Sequence, residues 1–118
     1  MIDHVSINVG DLAVARPVYE AALAPLGYKV LMDFGVAVGM GKDHPDVWLH
    51  GEPSTQRVHL ALTSPDHETV QRFHAAATGA GGTDNGGPGP RPNYGPTYYA
   101  AYVLDPAGNN LELVCRTG

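Results

Sequence analysis

Ile2-Asp3-His4-Val5-Ser6-Ile7-Asn8-Val9-Gly10-Asp11-Leu12 decides the reading of the chain, because its pattern returns about 55 positions later. Sliding the sequence by that interval sets Val5-Ser6-Ile7-Asn8-Val9 over Leu60-Ala61-Leu62-Thr63-Ser64. His4 falls on His59, Asp11 on Asp66, Val18 on Phe73 and Gly27 on Gly82. Identities are few, but the order of features is shared: alternating strand, polar cap, apolar helix, closing glycine. Period-two alternation puts Val5, Ile7 and Val9 on one strand face and His4, Ser6 and Asn8 on the other. In the second copy Val58, Leu60 and Leu62 oppose Arg57, His59, Ala61 and Thr63. Internal repetition of this kind defines two modules, about 1–56 and about 57–118, of one domain spanning 1–118.

A helix follows the first strand in each module. Asp11 is the candidate N-cap of the first, with Val14, Val18, Leu23 and Leu26 among its apolar positions and Gly27 as its stop. Pro17 leaves two alternatives, since an interior proline costs about 3 kcal/mol. Either the helix starts near Arg16, with Pro17 in its first turn, or it kinks there. Ser64-Pro65-Asp66 opens the second helix, which runs through Val70, Phe73 and Ala77 to Gly79 or Gly81. Three strands complete each module. In the first they read 28–33, 35–40 and 47–51, with a turn at Lys42-Asp43-His44-Pro45. In the second, one strand lies near Thr83, and 98–104 and 110–115 are joined by Asp105-Pro106-Ala107-Gly108-Asn109. Segment 85–97 is too rich in glycine and proline to be strand or helix. It reads as a lid or binding loop carrying Arg91, Asn93 and Tyr94, or as a surface excursion without a role.

Composition narrows the partners. Seven basic against twelve acidic residues, a net charge of −5 and no run of like charge leave no electrostatic footprint for nucleic acid or an anionic membrane surface. A single cysteine, Cys115, excludes an intrachain disulfide and fits a reducing compartment. No apolar run approaches the roughly 18 residues that span a bilayer. Met1-Ile2-Asp3-His4 lacks the basic-then-apolar order of a signal peptide, so a cytoplasmic location is expected.

A βαβββ unit repeated in this way, with histidine on each first strand and Glu112 after the Asp105-Pro106-Ala107-Gly108-Asn109 turn, resembles the vicinal oxygen chelate superfamily. That group includes glyoxalase I, fosfomycin resistance enzymes, bleomycin resistance proteins and extradiol dioxygenases. The stretches that carry the resemblance are 2–12, Val58-His59-Leu60-Ala61-Leu62 and Val103-Leu104-Asp105-Pro106-Ala107-Gly108-Asn109-Asn110-Leu111-Glu112-Leu113. It covers essentially the full chain. It implies an α+β fold, two βαβββ modules forming a curved mixed sheet with helices on the outer face. It also implies that His4, His59 and Glu112 are ligands of a divalent metal ion (Fe, Mn, Ni or Zn). The alternation agrees, because all three lie opposite the aliphatic sets of their strands. Two imidazoles and a carboxylate can hold one side of an octahedral ion and leave positions for water or substrate. Both histidines must be neutral to coordinate, so affinity should fall in acid.

One departure separates this chain from glyoxalase I, which has a further carboxylate on the last strand of the first copy. Aligning Val47-Trp48-Leu49 with Leu111-Glu112-Leu113 puts Trp48 there, and an indole cannot coordinate. His50, two residues on and on the same face, is the substitute in reach. Trp48, His50, Tyr98, Tyr102 and Arg57 are the candidate substrate-binding residues, and Glu112, if it leaves the metal, is the candidate catalytic proton acceptor. Two functions stand. The first is a metal-dependent lyase, isomerase or dioxygenase that chelates a small substrate through vicinal oxygens, the metal stabilising charge that develops on oxygen. The alternative is a metal-free, bleomycin-resistance-like binding protein that sequesters a small aromatic ligand. Short two-copy chains of this family commonly dimerise, so a homodimer is expected. His4 would then meet His59 and Glu112 either within one chain or across the interface.

Overall fold

A computed structural model describes residues 1–117. The first module runs β1 (Val5–Asn8), α1 (Leu12–Leu23), a single 3-10 turn (Ala24–Leu26), β2 (Lys29–Asp33), β3 (Ala37–Gly41) and β4 (Val47–His50). The second runs β5 (His59–Thr63), α2 (His67–Gly79), β6 (Thr83–Pro90), β7 (Tyr99–Leu104) and β8 (Asn110–Cys115). The curved mixed sheet comes as two four-stranded sheets, ordered β1-β4-β3-β2 and β5-β8-β7-β6. In each, the first strand lies parallel to the last, and the remaining pairs are antiparallel. This is the βαβββ unit twice. Each sheet leaves its first strand, β1 or β5, at an edge.

Helix boundaries follow local chemistry. The Asp11 carboxylate accepts from Ala13 N at 3.0 Å, and the Asp66 carboxylate accepts from Thr69 N at 2.7 Å. Both take up backbone donors that a helix start leaves free. Gly27, at φ +83°, ends the 3-10 turn in the left-handed region that glycine enters without strain. α1 starts at Leu12, so the late start near Arg16 is ruled out and Pro17 lies inside the helix. The hydrogen bond it forfeits would have ended on the Ala13 carbonyl. Ala13 and Pro17 are both exposed, so water can serve that oxygen.

A correction concerns segment 85–97. Its first part, through Pro90, belongs to β6, although its glycines and prolines argued against any strand. β6 is the outermost strand of its sheet and pairs only with β7, so the missing N–H groups of Pro88 and Pro90 disrupt no second ladder. Its pairing is interrupted between Asp84 and Gly86 and again between Gly86 and Gly89. Gly86 adopts φ +145°, and a Cβ there would stand 2.8 Å from the Tyr102 ring. Glycine therefore both permits the irregular backbone and makes room for Tyr102.

One hydrophobic core serves both modules. Ile7, Tyr19, Leu23 and Leu49 of the first and Val70, Phe73, Leu111 and Leu113 of the second belong to one buried cluster, and α1 packs on α2. The join is also polar. Buried Tyr19 donates to Asp105 at 2.7 Å, and Asn109 Nδ2 donates to the Asn8 carbonyl at 3.2 Å. Asp105 further accepts from the Ala107 and Asn109 backbone, which fixes the β7–β8 turn. Asn109 Oδ1 accepts from Val58 N, so the same turn positions the start of β5. Because the apolar faces pack against the helices, His4 just before β1, Ser6 and Asn8 of β1, and His59, Ala61 and Thr63 of β5 are exposed on the opposite sheet faces, which look outward from the shared core. Among the described residues, no helix is long and apolar enough to cross a membrane.

Candidate functional site

Strand register brings His59 and Glu112 together. β5 and β8 run parallel with His59 opposite Asn110 and Ala61 opposite Glu112, so both side chains rise from the same face. His59 Nε2 stands 2.7 Å from Glu112 Oε1. The Glu112 side chain is 2% exposed, while that of His59 is 55% exposed. Tyr98 donates to the other carboxylate oxygen, Oε2. Burial, and then the Glu112 carboxylate, push the Tyr98 phenol above its usual range, so it stays protonated and remains a donor. Tyr102, opposite Glu112 on β7, is also raised, by burial first and then by the Glu112 charge, against a smaller downward pull from Tyr98 and Arg91.

These groups form the base of an open cavity of about 550 Å³, with His59, Arg91, Tyr94, Tyr98, Tyr102 and Glu112 in its lining. The Tyr94 ring lies 5.4 Å from that of Tyr98, and the Arg116 guanidinium sits 4.9 Å from the Tyr98 ring centre. The Arg91 guanidinium covers the Tyr102 ring at 5.4 Å. All the lining residues belong to the second module.

The His59–Glu112 pair suits a divalent cation. Two ligand atoms at right angles, each about 2.1 Å from an ion, stand about 3.0 Å apart. A separation of 2.7 Å thus needs only a few tenths of an ångström of adjustment. A buried carboxylate also favours a positive partner. The third candidate, His4, is not in this group. It lies on the outer face of the first module, half-exposed, with Nδ1 2.7 Å from Asp3 Oδ1. Among the described residues, no three His, Cys, Asp or Glu side chains of the protomer converge as a metal site.

The remaining candidates divide by module. Tyr98 and Tyr102 line the cavity, whereas Trp48 and His50 do not. Those two share the His4 face, with Ser6 opposite Trp48 and Asn8 opposite His50. Trp48 stacks on Phe34 with ring centres 5.9 Å apart and planes 10° from parallel. The pairs Ser6–Trp48 and Ala61–Glu112 occupy the same place in the two modules, so Trp48 does stand where the second module has Glu112. Opposite Trp48 is Gly39, where a Cβ would meet the indole at 2.9 Å; opposite Glu112 is Tyr102. Arg57 lies over the β7–β8 turn, against Gly108, and is outside the cavity lining. Arg91 and Tyr94 were named in the sequence only as part of a breaker-rich loop. Arg91 reaches the lining by lying over Tyr102 just past the end of β6, and Tyr94 by the turn in which its N–H donates to the Arg91 carbonyl at 3.0 Å.

The fold and this half-site define a class: two βαβββ modules, each with a histidine at or just before the start of its first strand on the outer sheet face, and a buried carboxylate beside the second. The sequence profile of the Glyoxalase/Bleomycin resistance protein/Dioxygenase superfamily matches residues 1–113, and the chain belongs to that superfamily. Its fold is similar to a glyoxalase/bleomycin resistance protein from Albidiferax ferrireducens T118, at 28% identity and a TM-score of 0.82, covering 97% of each chain. A lactoylglutathione lyase from Agrobacterium tumefaciens matches at 18% identity and a TM-score of 0.71, over 98% of this chain and 92% of that one. Glyoxalase I from Zea mays matches at 23% identity and a TM-score of 0.70, over 97% of this chain but only 45% of that longer one. A comparison with curated proteins finds no match.

Proposed function

We propose that the chain is a metal-dependent enzyme, a lyase, isomerase or dioxygenase, that acts on a small substrate with vicinal oxygens. It works as a homodimer, with each site joining His4 of one protomer to His59 and Glu112 of the other. The observation that carries this reading is the placement of His59 Nε2 2.7 Å from buried Glu112 at the base of an open cavity, with the matching histidine on the outer face of the other module. Closure across a twofold axis is the simplest way to bring an outward-facing His4 to an outward-facing His59. The first module also presents apolar surface for such a contact. Phe34 is 68% and Met32 46% exposed, and Phe34 stacks on Trp48. The edge strands β1 and β5 are open to a partner as well.

His4, His59 and Glu112 would hold the ion, which supplies Lewis-acid stabilisation of charge on the chelated oxygens. The rest of the chemistry belongs to the chain. Tyr98 holds Glu112 Oε2, which leaves Oε1 facing His59 and the cavity. A carboxylate held in this way could take a substrate proton at Oε1 on leaving the ion, while the Tyr98 bond steadies its position. Tyr94, Tyr98 and Tyr102 give the cavity flat walls that orient a planar substrate. In the metal-free alternative, the same walls bind an aromatic ligand without a cation.

Titrating chelator-stripped protein with Mn, Ni, Zn or Fe(II), with catechol as a vicinal-dioxygen probe, separates the two. The enzyme reading expects one ion per chain and catechol binding only when the ion is present. Catechol binding indifferent to chelator, with no stoichiometric ion, establishes the metal-free reading instead.

A further inference from the structure

We infer that Arg91 anchors a carboxylate, so that the substrate is a small, flat carboxylic acid with two neighbouring oxygens at its other end. This rests on the reading of His59 and Glu112 as the chelating end of the cavity.

The first observation is how Arg91 is held. Nη1 donates to the carbonyls of Gly89 at 2.9 Å and Pro90 at 3.2 Å, and Nη2 donates to the Gly87 carbonyl at 2.6 Å. The guanidinium is thus tied to the end of β6 and held over the Tyr102 ring. Little ordering entropy remains to be lost when a ligand arrives. The second observation is what these bonds omit. Among the described residues Nε makes no hydrogen bond and Nη2 makes one, so donors on both remain available. No Asp or Glu forms an ion pair with Arg91 among those residues. A guanidinium with paired donors unspent matches the two oxygens of a carboxylate, and a charge-assisted bidentate bond is among the stronger ones available.

The third observation is the cavity itself. Arg91 and Glu112 are the charged arginine and carboxylate side chains in its lining, joined there by His59. An ion at His59 and Glu112 offsets the carboxylate charge, and Arg91, over the Tyr102 ring, then leaves the lining with a free positive group. The rings of Tyr98 and Tyr102 share the lining, and a volume of about 550 Å³ takes a one-ring molecule. Neutral side chains, Asn85, Asn93 and Asn110, supply the other polar groups.

Two probes isolate the carboxylate: 3,4-dihydroxybenzoate and its neutral, near-isosteric amide, 3,4-dihydroxybenzamide. Both carry the same pair of ring oxygens, and both substituents withdraw electrons from the ring. Calorimetric titration into metal-loaded protein is expected to show the acid binding roughly tenfold or more tighter than the amide. Arg91→Gln removes most of that ratio while leaving the amide within about threefold of its wild-type affinity, and Arg91→Lys retains part of it. Equal affinities of the wild-type protein for acid and amide overturn the inference, as does a preference that survives in Arg91→Gln. Failure of the underlying reading has a different signature: amide binding that does not respond to removing the metal.

Discussion

Replacing Glu112 by glutamine is expected to weaken divalent-ion binding by more than about 100-fold, since changes even to residues behind the ligands commonly cost 10–100-fold. The isosteric amide keeps a carbonyl oxygen that can accept from Tyr98 and keeps the volume of a side chain buried to 2% exposure. It removes the only anionic member of the donor set, and neutral donors alone do not offset the dehydration of a divalent cation. The fold should persist, because Leu111 and Leu113, on the opposite strand face, still fill the core. Competition against a chromophoric chelator measures the loss, and circular dichroism shows whether the fold is retained. Unchanged affinity in Glu112→Gln would place the metal elsewhere.

Phe73→Ala is expected to cost roughly 3–5 kcal/mol of stability, the range for a large aromatic truncated in a closed core. Phe73 is fully buried on α2 and belongs to the same cluster as Ile7, Tyr19 and Leu49 of the first module. The loss should therefore be felt in both modules. Trp48, the sole tryptophan, stands on β4 of the first module and reports that half of the chain. Urea unfolding followed by Trp48 emission should shift to lower denaturant together with the far-ultraviolet signal. A Trp48 transition that stays in place while the rest moves would mean that the modules unfold separately, against a shared core.

The repeat was legible because it is written in the period of the strands. Alternation in Val5–Asn8 and His59–Thr63 depends only on which residues must face the helices, so the faces of His4, His59 and Glu112 could be read without knowing the register. Asp11 and Asp66 marked the helix starts by their side-chain chemistry, and both cap as expected. β6 was not legible. Glycine and proline count against a strand on average, but an edge strand needs a ladder on one side only, and edge position is a property of the whole sheet. Arg91 was hidden for a related reason, since its seat over Tyr102, just past the end of β6, exists only in the folded sheet. The alignment that exchanges Glu112 for Trp48 was readable and matches the observed register. The pairing of His4 was not, because the sequence leaves open whether the convergence is within the chain, and the protomer turns the two histidine faces outward.

Mixing two inactive chains tests the shared site most directly. His4→Ala and Glu112→Ala homodimers should each lose tight metal binding, the first lacking an imidazole and the second the carboxylate at every site. Co-refolded in equal amounts, half of the dimers are hybrids with one intact and one doubly broken site, so about a quarter of the wild-type metal content should return. Metal analysis of the refolded mixture after removal of weakly bound ions reads this number. Recovery near that level is the result the account predicts; a mixture that binds no more than the average of its two parents would contradict it.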